Sequence, residues 1–180
     1  MNSITRELLA YLDEQRSILQ SAFDSVPVDL RERPPAPDRW SATNVVEHLA
    51  IVEARVANLL TERIKEELPG LQASRDTGPI LPSFDYQKMY DRSIRVKAPE
   101  VVIPTGVTAA SAWMALEKSG SMLRALLVGY DALDLSPVKH AHPRFGPLSV
   151  YEWMAFLGAH EVRHAAQIRE DNSSAAKAAN

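Results

Sequence analysis

The residues best suited to chemistry lie near the C-terminus, where His160 and His164 are one helical turn apart. Residues 160–164 read His-Glu-Val-Arg-His. Two histidines four apart on a helix project from one face, so their imidazoles can bind one metal ion. The spelling matches H-E-x-x-H, in which the carboxylate, here Glu161, can accept a proton from a water on the ion. The segment predicts part of a metal site.

A third ligand is expected upstream of this pair. Only 16 residues follow His164, and they hold Glu170, Asp171 and a small polar tail rather than a second ligand-bearing helix. Metalloproteases with this motif take the third ligand from downstream, so a zincin-type protease is disfavoured. The chain has no cysteine, so the site must use His, Asp or Glu. The remaining imidazoles are those of His48, His140 and His142.

Four amphipathic segments must position these side chains. They cover residues 3–25, Ser41 to about Leu68, Thr108 to about Val128, and Ser149 to at least Ile168. Ser41 is the expected N-cap of the second helix, and Ser149 with Glu152 spells a capping box at the start of the fourth. Strand-like alternation and internal repeats are not evident. The pattern predicts an all-α fold, an antiparallel four-helix bundle with a long crossover (residues 69–104) between helices 2 and 3.

Helix geometry ranks the three candidate ligands. At about 1.5 Å per residue, His48 lies roughly 10 Å from the start of helix 2, and His160 and His164 lie roughly 9 to 15 Å from the end of helix 4. These depths coincide if the two helices are antiparallel. His140 and His142, in a predicted loop before helix 4, are separated from His164 by about 22 Å of helix. They are the weaker candidates.

Composition bounds the class of protein. A chain of 180 residues with 46% apolar and 24% charged residues suits one globular domain, predicted here as residues 1–170 with a flexible tail at 171–180. A net charge of −3 and the lack of a basic cluster argue against nucleic acid as a partner. Residues 1–26 lack a signal-peptide core, and no run approaches the ~20 apolar residues of a membrane span. We expect a cytoplasmic protein without membrane contact.

Several segments together resemble the DinB-like superfamily. They are Trp40-Ser41, Val45-Val46-Glu47-His48-Leu49, Pro143 to Ser149, Glu152-Trp153 and His160 to Ile168. The resemblance implies an antiparallel four-helix bundle, usually dimeric, with a divalent metal held by three histidines. Matched position by position, these are His48, His160 and His164.

The family's characterised branches include thiol-dependent transferases and isomerases that use mycothiol, bacillithiol or glutathione. The expected function is therefore a metal-dependent enzyme, a transferase or hydrolase, that activates a low-molecular-weight thiol or water for attack on a small electrophile. Three imidazoles suit Zn, Ni or Fe and leave a position open. Glu161 has two interpretations, a general base or a helix-surface charge paired with an arginine. The alternative function is a non-catalytic bundle whose metal is structural or vestigial.

Overall fold

The computed structural model describes residues 1–74, 81, 89, 93 and 97–178, and in this part of the chain four long helices form a bundle. They are α1 (Ser3–Asp24), α2 (Ala42–Glu67), α3 (Ala109–Gly129) and α4 (Val150–Ala178). The predicted all-α bundle is confirmed. In the described part of the chain, no helix is long and apolar enough to cross a lipid bilayer.

Side-chain caps fix where the helices start. The Asn2 side chain accepts from the Thr5 N–H, and the Thr108 side chain accepts from the Ser111 N–H. The remaining two caps are those predicted from the sequence. Ser41 and Asn44 form a capping box at the start of α2, and Ser149 and Glu152 form one at the start of α4. Each satisfies backbone N–H groups that the first helical turn leaves unpaired.

Hydrogen bonds between helices give their relative directions. Tyr11 Oη donates to the Ala155 carbonyl oxygen at 3.3 Å, and Asn172 Nδ2 donates to that of Ser25 at 3.2 Å. Residue numbers rise together along both helices, so α1 and α4 are parallel. Arg39, just before α2, forms an ion pair with Asp171 near the end of α4, so α2 and α4 are antiparallel. This antiparallel relation is the one on which the depth estimate for His48 depended.

The long crossover determines the direction of α3. Glu47, near the start of α2, accepts hydrogen bonds from residues 105–107, which lead into α3. Further along, Ser119 Oγ of α3 donates to Glu53 Oε2 of α2 at 2.8 Å. The crossover thus returns the chain to the level where α2 began, and α3 runs parallel to α2. A bundle with one long crossover has this topology.

Two apolar clusters fill the bundle, with a polar layer between them. One cluster lies near the start of α2 and includes Leu19, Phe23, Val46, Leu49, Leu116 and Ile168. The other lies near its end and includes Leu8, Leu60, Ile64, Leu127, Met154 and Leu157. The buried polar residues Glu53, Ser119 and Glu161 occupy sequence positions between the two clusters. His160 and His164 also lie between the two clusters in sequence, whereas His48 lies beside Val46 and Leu49 of the first cluster.

A β-hairpin precedes α4, where a loop from Asp131 to Pro147 was predicted. β1 (Lys139–His142) pairs antiparallel with β2 (Gly146–Ser149), with His142 opposite Gly146. The prediction of no strand was wrong because four-residue strands are too short to show an alternating pattern. Gly146 has φ +73°, a left-handed conformation that glycine adopts without steric cost and that lets β2 begin directly after the turn.

The C-terminal helix is longer than predicted. A flexible tail was expected from residue 171, whereas α4 continues to Ala178. Three alanines lie in the last four helical residues, and alanine has the highest helix propensity. Asp171 and Asn172 also tie this part of α4 to Arg39 and Ser25. A short helix suggested by the sequence at residues 84–94 falls outside the described residues, except for Met89 and Ser93.

Candidate metal centre

The three predicted ligands come together between α2 and α4. His48, His160 and His164 each offer a ring nitrogen, and these atoms all lie within 4.8 Å of one another. The Nε2 atoms of His160 and His164 are 3.0 Å apart. The three rings meet edge to face, with centroids 4.6 to 5.4 Å apart. The helix spacing and the antiparallel arrangement of α2 and α4 together produce this convergence.

Neighbouring oxygen atoms set two of the three tautomers. His48 Nδ1 lies 2.8 Å from the Val102 carbonyl oxygen, which can only accept, so Nδ1 carries the proton. His164 Nδ1 lies 3.0 Å from Oε1 of Gln167 and donates to it. In both rings the Nε2 lone pair remains for a ligand. His160 Nδ1 is buried and has no hydrogen-bond partner among the described residues.

Burial keeps the imidazoles of His48 and His160 neutral. It lowers the pKa of His48, and the hydrogen bond to Val102 opposes this effect only in part. It also lowers the pKa of His160 well below its ordinary value, and positive charge on His164, His48 or Arg163 would lower it further. A neutral imidazole is the form that binds a metal, because only it has a free lone pair on the ring.

Aromatic rings enclose the cluster on two sides. The Trp40 ring packs on His48 with centroids 4.8 Å apart, and Phe156 stacks on His160 at 5.4 Å and 17° between planes. His142 lies one ring further out, with its centroid 4.6 Å from that of Phe156. Its Nδ1 accepts from the N–H groups of residues 144 and 145. His142 is therefore near the site but not among the converging ligands, and neither is His140, whose carbonyl oxygen accepts from Trp153 Nε1 at 3.2 Å.

Glu161 is only 1% exposed and faces Arg16 of α1. Its two carboxylate oxygens accept from Arg16 Nε at 3.0 Å and Nη2 at 2.9 Å. The same Nη2 donates to Glu53, at 2.8 and 3.0 Å, and Nη1 donates to the Leu116 carbonyl oxygen at 3.1 Å. The arginine partner was one of the two interpretations of Glu161, but the burial was not expected for a surface charge.

The buried network of hydrogen bonds that Arg16 makes with Glu53 and Glu161 was not predicted from the sequence. Burial raises the pKa of Glu53, and the positive charge of Arg16 offsets this rise in part. Gly120 of α3 lies beside the guanidinium, where an added Cβ would make van der Waals contact with both terminal nitrogens at 3.4 Å. In the sequence, Arg16 and Glu53 look like ordinary charged residues of amphipathic helices. The one feature that could have indicated their burial is that each charge lies on the apolar side of its helix.

The donor set fits a divalent metal ion. In tetrahedral zinc sites with Zn–N distances of about 2.0–2.1 Å, ligand nitrogens are about 3.4 Å apart, close to the spacing of the His160 and His164 nitrogens. Two Nε2 lone pairs fixed by Val102 and Gln167 converge on one point, which is unfavourable unless a cation or a proton lies between them. The three imidazoles match Zn, Ni or Fe.

Comparison with known proteins agrees with the geometry. The family model described as DinB superfamily matches residues 11–168, which include all three histidines. The chain is also similar to "Uncharacterized protein YuaE" of Bacillus subtilis (strain 168), with 26% identity over 140 residues, 76% of this chain and 79% of that protein. No solved structure matches. The family match spans most of the chain, so this protein belongs to the DinB superfamily.

Proposed function

We propose that this protein is a metal-dependent enzyme that activates a low-molecular-weight thiol, or water, for attack on a small electrophile. The observation that carries the proposal is the convergence of three imidazoles whose ring nitrogens all lie within 4.8 Å of one another. Over residues 1–74 and 97–178, this is the one group of His, Cys, Asp or Glu side chains so arranged. Three protein ligands leave a coordination position for substrate, as in catalytic rather than structural sites.

His48, His160 and His164 would hold the ion, which we propose to be Zn, Ni or Fe. A divalent ion, when bound, favours the anionic form of a thiol or water and so supplies a nucleophile near neutral pH. Val102 and Gln167 orient two of the imidazoles through their Nδ1 protons. Trp40 and Phe156 shield the faces of His48 and His160 from solvent, which strengthens electrostatic interactions at the site.

Glu161 enters this proposal in one of two roles. As a general base it would accept the proton of the attacking group. Its contacts favour the other role, because both oxygens already accept hydrogen bonds from Arg16 and Glu161 is not among the grouped metal ligands. In that role Glu161 positions the turn of α4 that carries both His160 and His164. A thiol needs less help than water to lose its proton at a metal, so this role suits a thiol nucleophile.

The test begins with metal content. Protein purified without a histidine tag is analysed for elements, and about one Zn, Ni or Fe per chain is expected. Turnover is then measured with small electrophiles plus glutathione, bacillithiol or mycothiol, each against a thiol-free control and a chelated sample. Metal-dependent turnover with one thiol supports the transferase, and turnover without thiol supports a hydrolase. Stoichiometric metal with no turnover in any pairing would contradict the enzyme and favour the non-catalytic bundle with a structural or vestigial metal.

We also propose that the chain forms a homodimer and works in the cytoplasm. Exposed apolar side chains on the segment before α3, those of Val101, Ile103 and Val107, support self-association. A cytoplasmic location follows from the proposed thiol, because that compartment keeps thiols reduced. Light scattering after size exclusion would give about twice the 19.9 kDa chain mass for a dimer.

A further inference from the structure

Glu47, the residue next to the ligand His48, is buried and strongly hydrogen-bonded. It is 5% exposed, and its partners all belong to one short segment before α3. Oε1 accepts from the Thr105 N–H at 2.7 Å and hydroxyl at 2.6 Å, and Oε2 accepts from the N–H groups of Gly106 at 2.9 Å and Val107 at 3.3 Å. One carboxylate therefore holds three consecutive backbone N–H groups.

The conformation of Gly106 makes this arrangement possible. Its φ of +90° turns successive N–H groups toward one point, as in the backbone nests that bind anions. Burial alone would raise the pKa of Glu47, but hydrogen bonds from Thr105, Gly106 and Val107 outweigh it and lower the pKa. The side chain is thus ionised at neutral pH and accepts with both oxygens.

The segment that Glu47 holds also carries the partner of His48. Val102 is three residues before Thr105, and its carbonyl oxygen accepts from His48 Nδ1 at 2.8 Å. The two are joined by Ile103 and Pro104, which leave little freedom. Proline fixes its own φ and restricts the residue before it to extended conformations, and Ile103 has ψ 132°. Anchoring residues 105–107 therefore fixes where the Val102 oxygen lies.

We propose that Glu47 is a positioning residue for the metal centre. Through the segment 102–107 it places the Val102 carbonyl oxygen on His48 Nδ1, and this contact directs the unprotonated Nε2 toward His160 and His164. Trp40 packs against the His48 ring at an angle of 45° between planes, and a ring contact of this kind does not select between the two nitrogens. The inference rests on the proposed three-histidine site, but its first consequence is the tautomer of His48 in metal-free protein.

The primary experiment determines that tautomer by ¹⁵N NMR of the histidine side chains in metal-free protein at neutral pH. The wild-type chain is expected to show His48 protonated at Nδ1. In Glu47→Ala the anchor of residues 105–107 is lost, and a mixture of tautomers is expected. Zinc affinity, measured by chelator competition, should fall about 10- to 100-fold, the usual cost of losing a group that orients a ligand.

Two further variants separate positioning from general destabilisation. Gly106→Ala keeps the carboxylate, and the added Cβ meets no atom within 4 Å, yet the φ of +90° disfavours alanine. It should shift the tautomer in the same direction as Glu47→Ala, and it serves as the test if Glu47→Ala fails to fold. Glu32→Gln is the matched control, because Glu32 accepts from the Ala109 N–H at 2.8 Å at the start of α3 but does not reach Val102. It should leave both measurements unchanged.

The tautomer of His48 decides the proposal. A wild-type His48 tautomer in Glu47→Ala and in Gly106→Ala would overturn it, whether or not zinc binding weakens. A shifted tautomer in both variants, with Glu32→Gln like wild type, supports it. Should the wild-type chain bind no metal at all, the proposed function fails, while the metal-free NMR result still decides whether Glu47 orients His48.

Discussion

At the scale of single residues, the candidate site depends on which ring nitrogen of each histidine carries the proton. Val102 and Gln167 accept from Nδ1 of His48 and His164, so each ring presents Nε2 to the centre. Burial keeps His48 and His160 in their neutral form by lowering both pKa values. The three residues therefore act as one unit, and a remnant of two imidazoles would hold a divalent ion far more weakly.

The first prediction follows from this unit. His48→Ala and His164→Ala should each abolish stoichiometric metal binding, because each removes one of three converging nitrogens. His142→Ala should bind metal as wild type does, since its ring is separated from His160 by Phe156. Elemental analysis of the purified variants measures the outcome. Full occupancy in the His48 variant would contradict the three-histidine assignment.

A second prediction at this scale concerns Glu161. Glu161→Gln should keep the metal and lower turnover by less than about tenfold, whereas losing a general base costs about 10² to 10⁴. A small effect is expected because both carboxylate oxygens accept hydrogen bonds from Arg16, and Glu161 is not among the grouped metal ligands. Steady-state rates of fully loaded protein are compared with the best thiol substrate. A loss above 10² would instead support water as the nucleophile and Glu161 as its base.

The convergence of the three histidines could be predicted from the sequence, but the surroundings of Glu161 could not. His160 and His164 are fixed relative to each other by helix geometry, because they lie four residues apart on one helix. Arg16, by contrast, lies 145 positions from Glu161, and no local pattern connects the two. Glu47 is similar, because its partners at 105–107 are reached only across the long crossover.

At the scale of elements, the long helices could be predicted from the sequence and the two short strands could not. The apolar stripes and the cap at Ser41 gave helix starts within a residue or two, because caps satisfy local hydrogen-bond needs. The β1–β2 hairpin is held by pairing between strands, with Val150 N–H donating to the Val138 carbonyl oxygen at 3.1 Å beside it. Strands of four residues are too short to show an alternating pattern of apolar and polar residues, so the sequence did not predict this pairing.

The hairpin gives a prediction about pH. Burial, with a smaller contribution from Arg144, lowers the pKa of His142 from 6.5 to about 4. Between these values the unfolded chain binds more protons than the folded one, so the stability from neutral His142 is complete above 6.5 and is lost as the pH falls toward 4. His142→Phe should therefore lose less stability than wild type between pH 7.5 and 5.

Urea unfolding at both pH values measures the difference. Some pH dependence should remain in the variant, because the lowered pKa values of His48 and His160 act in the same direction. An unchanged pH dependence would show that His142 does not titrate as its surroundings indicate. Phenylalanine keeps an aromatic ring beside Phe145, Trp153 and Phe156, so the substitution tests charge more than packing.

At the scale of the whole molecule, Arg16 joins all four helices. From α1 its guanidinium contacts Glu53 of α2, the Leu116 carbonyl oxygen of α3 and Glu161 of α4. This polar layer lies between the two apolar clusters. Breaking a buried ion pair from one side leaves an uncompensated charge, which costs more than the pair itself contributes.

Arg16→Met should therefore lower the free energy of unfolding by about 3 to 5 kcal/mol, because two buried carboxylates lose their cation. The matched control is Arg124→Met, which removes an exposed ion pair with Asp13 and should cost at most about 1 kcal/mol. Urea denaturation at pH 7 gives both values. Equal effects of the two substitutions would show that the buried network is not coupled as its geometry indicates.

The last prediction concerns the metal and the fold together. Removing the ion with a chelator should lower the melting temperature without unfolding the chain, because the apolar clusters on both sides of the polar layer do not depend on the histidines. Metal present at about 100 times its dissociation constant stabilises by about 2.7 kcal/mol, which for a domain of this size is a shift of roughly 5 to 11 °C. Circular dichroism at 222 nm during heating gives both the helix content and the melting temperature. His48→Ala, treated in the same way, is the control and should show no shift with the chelator. A wild-type sample that loses its helical signal on chelation would show that the ion holds the fold, and it would favour a structural metal over a catalytic one.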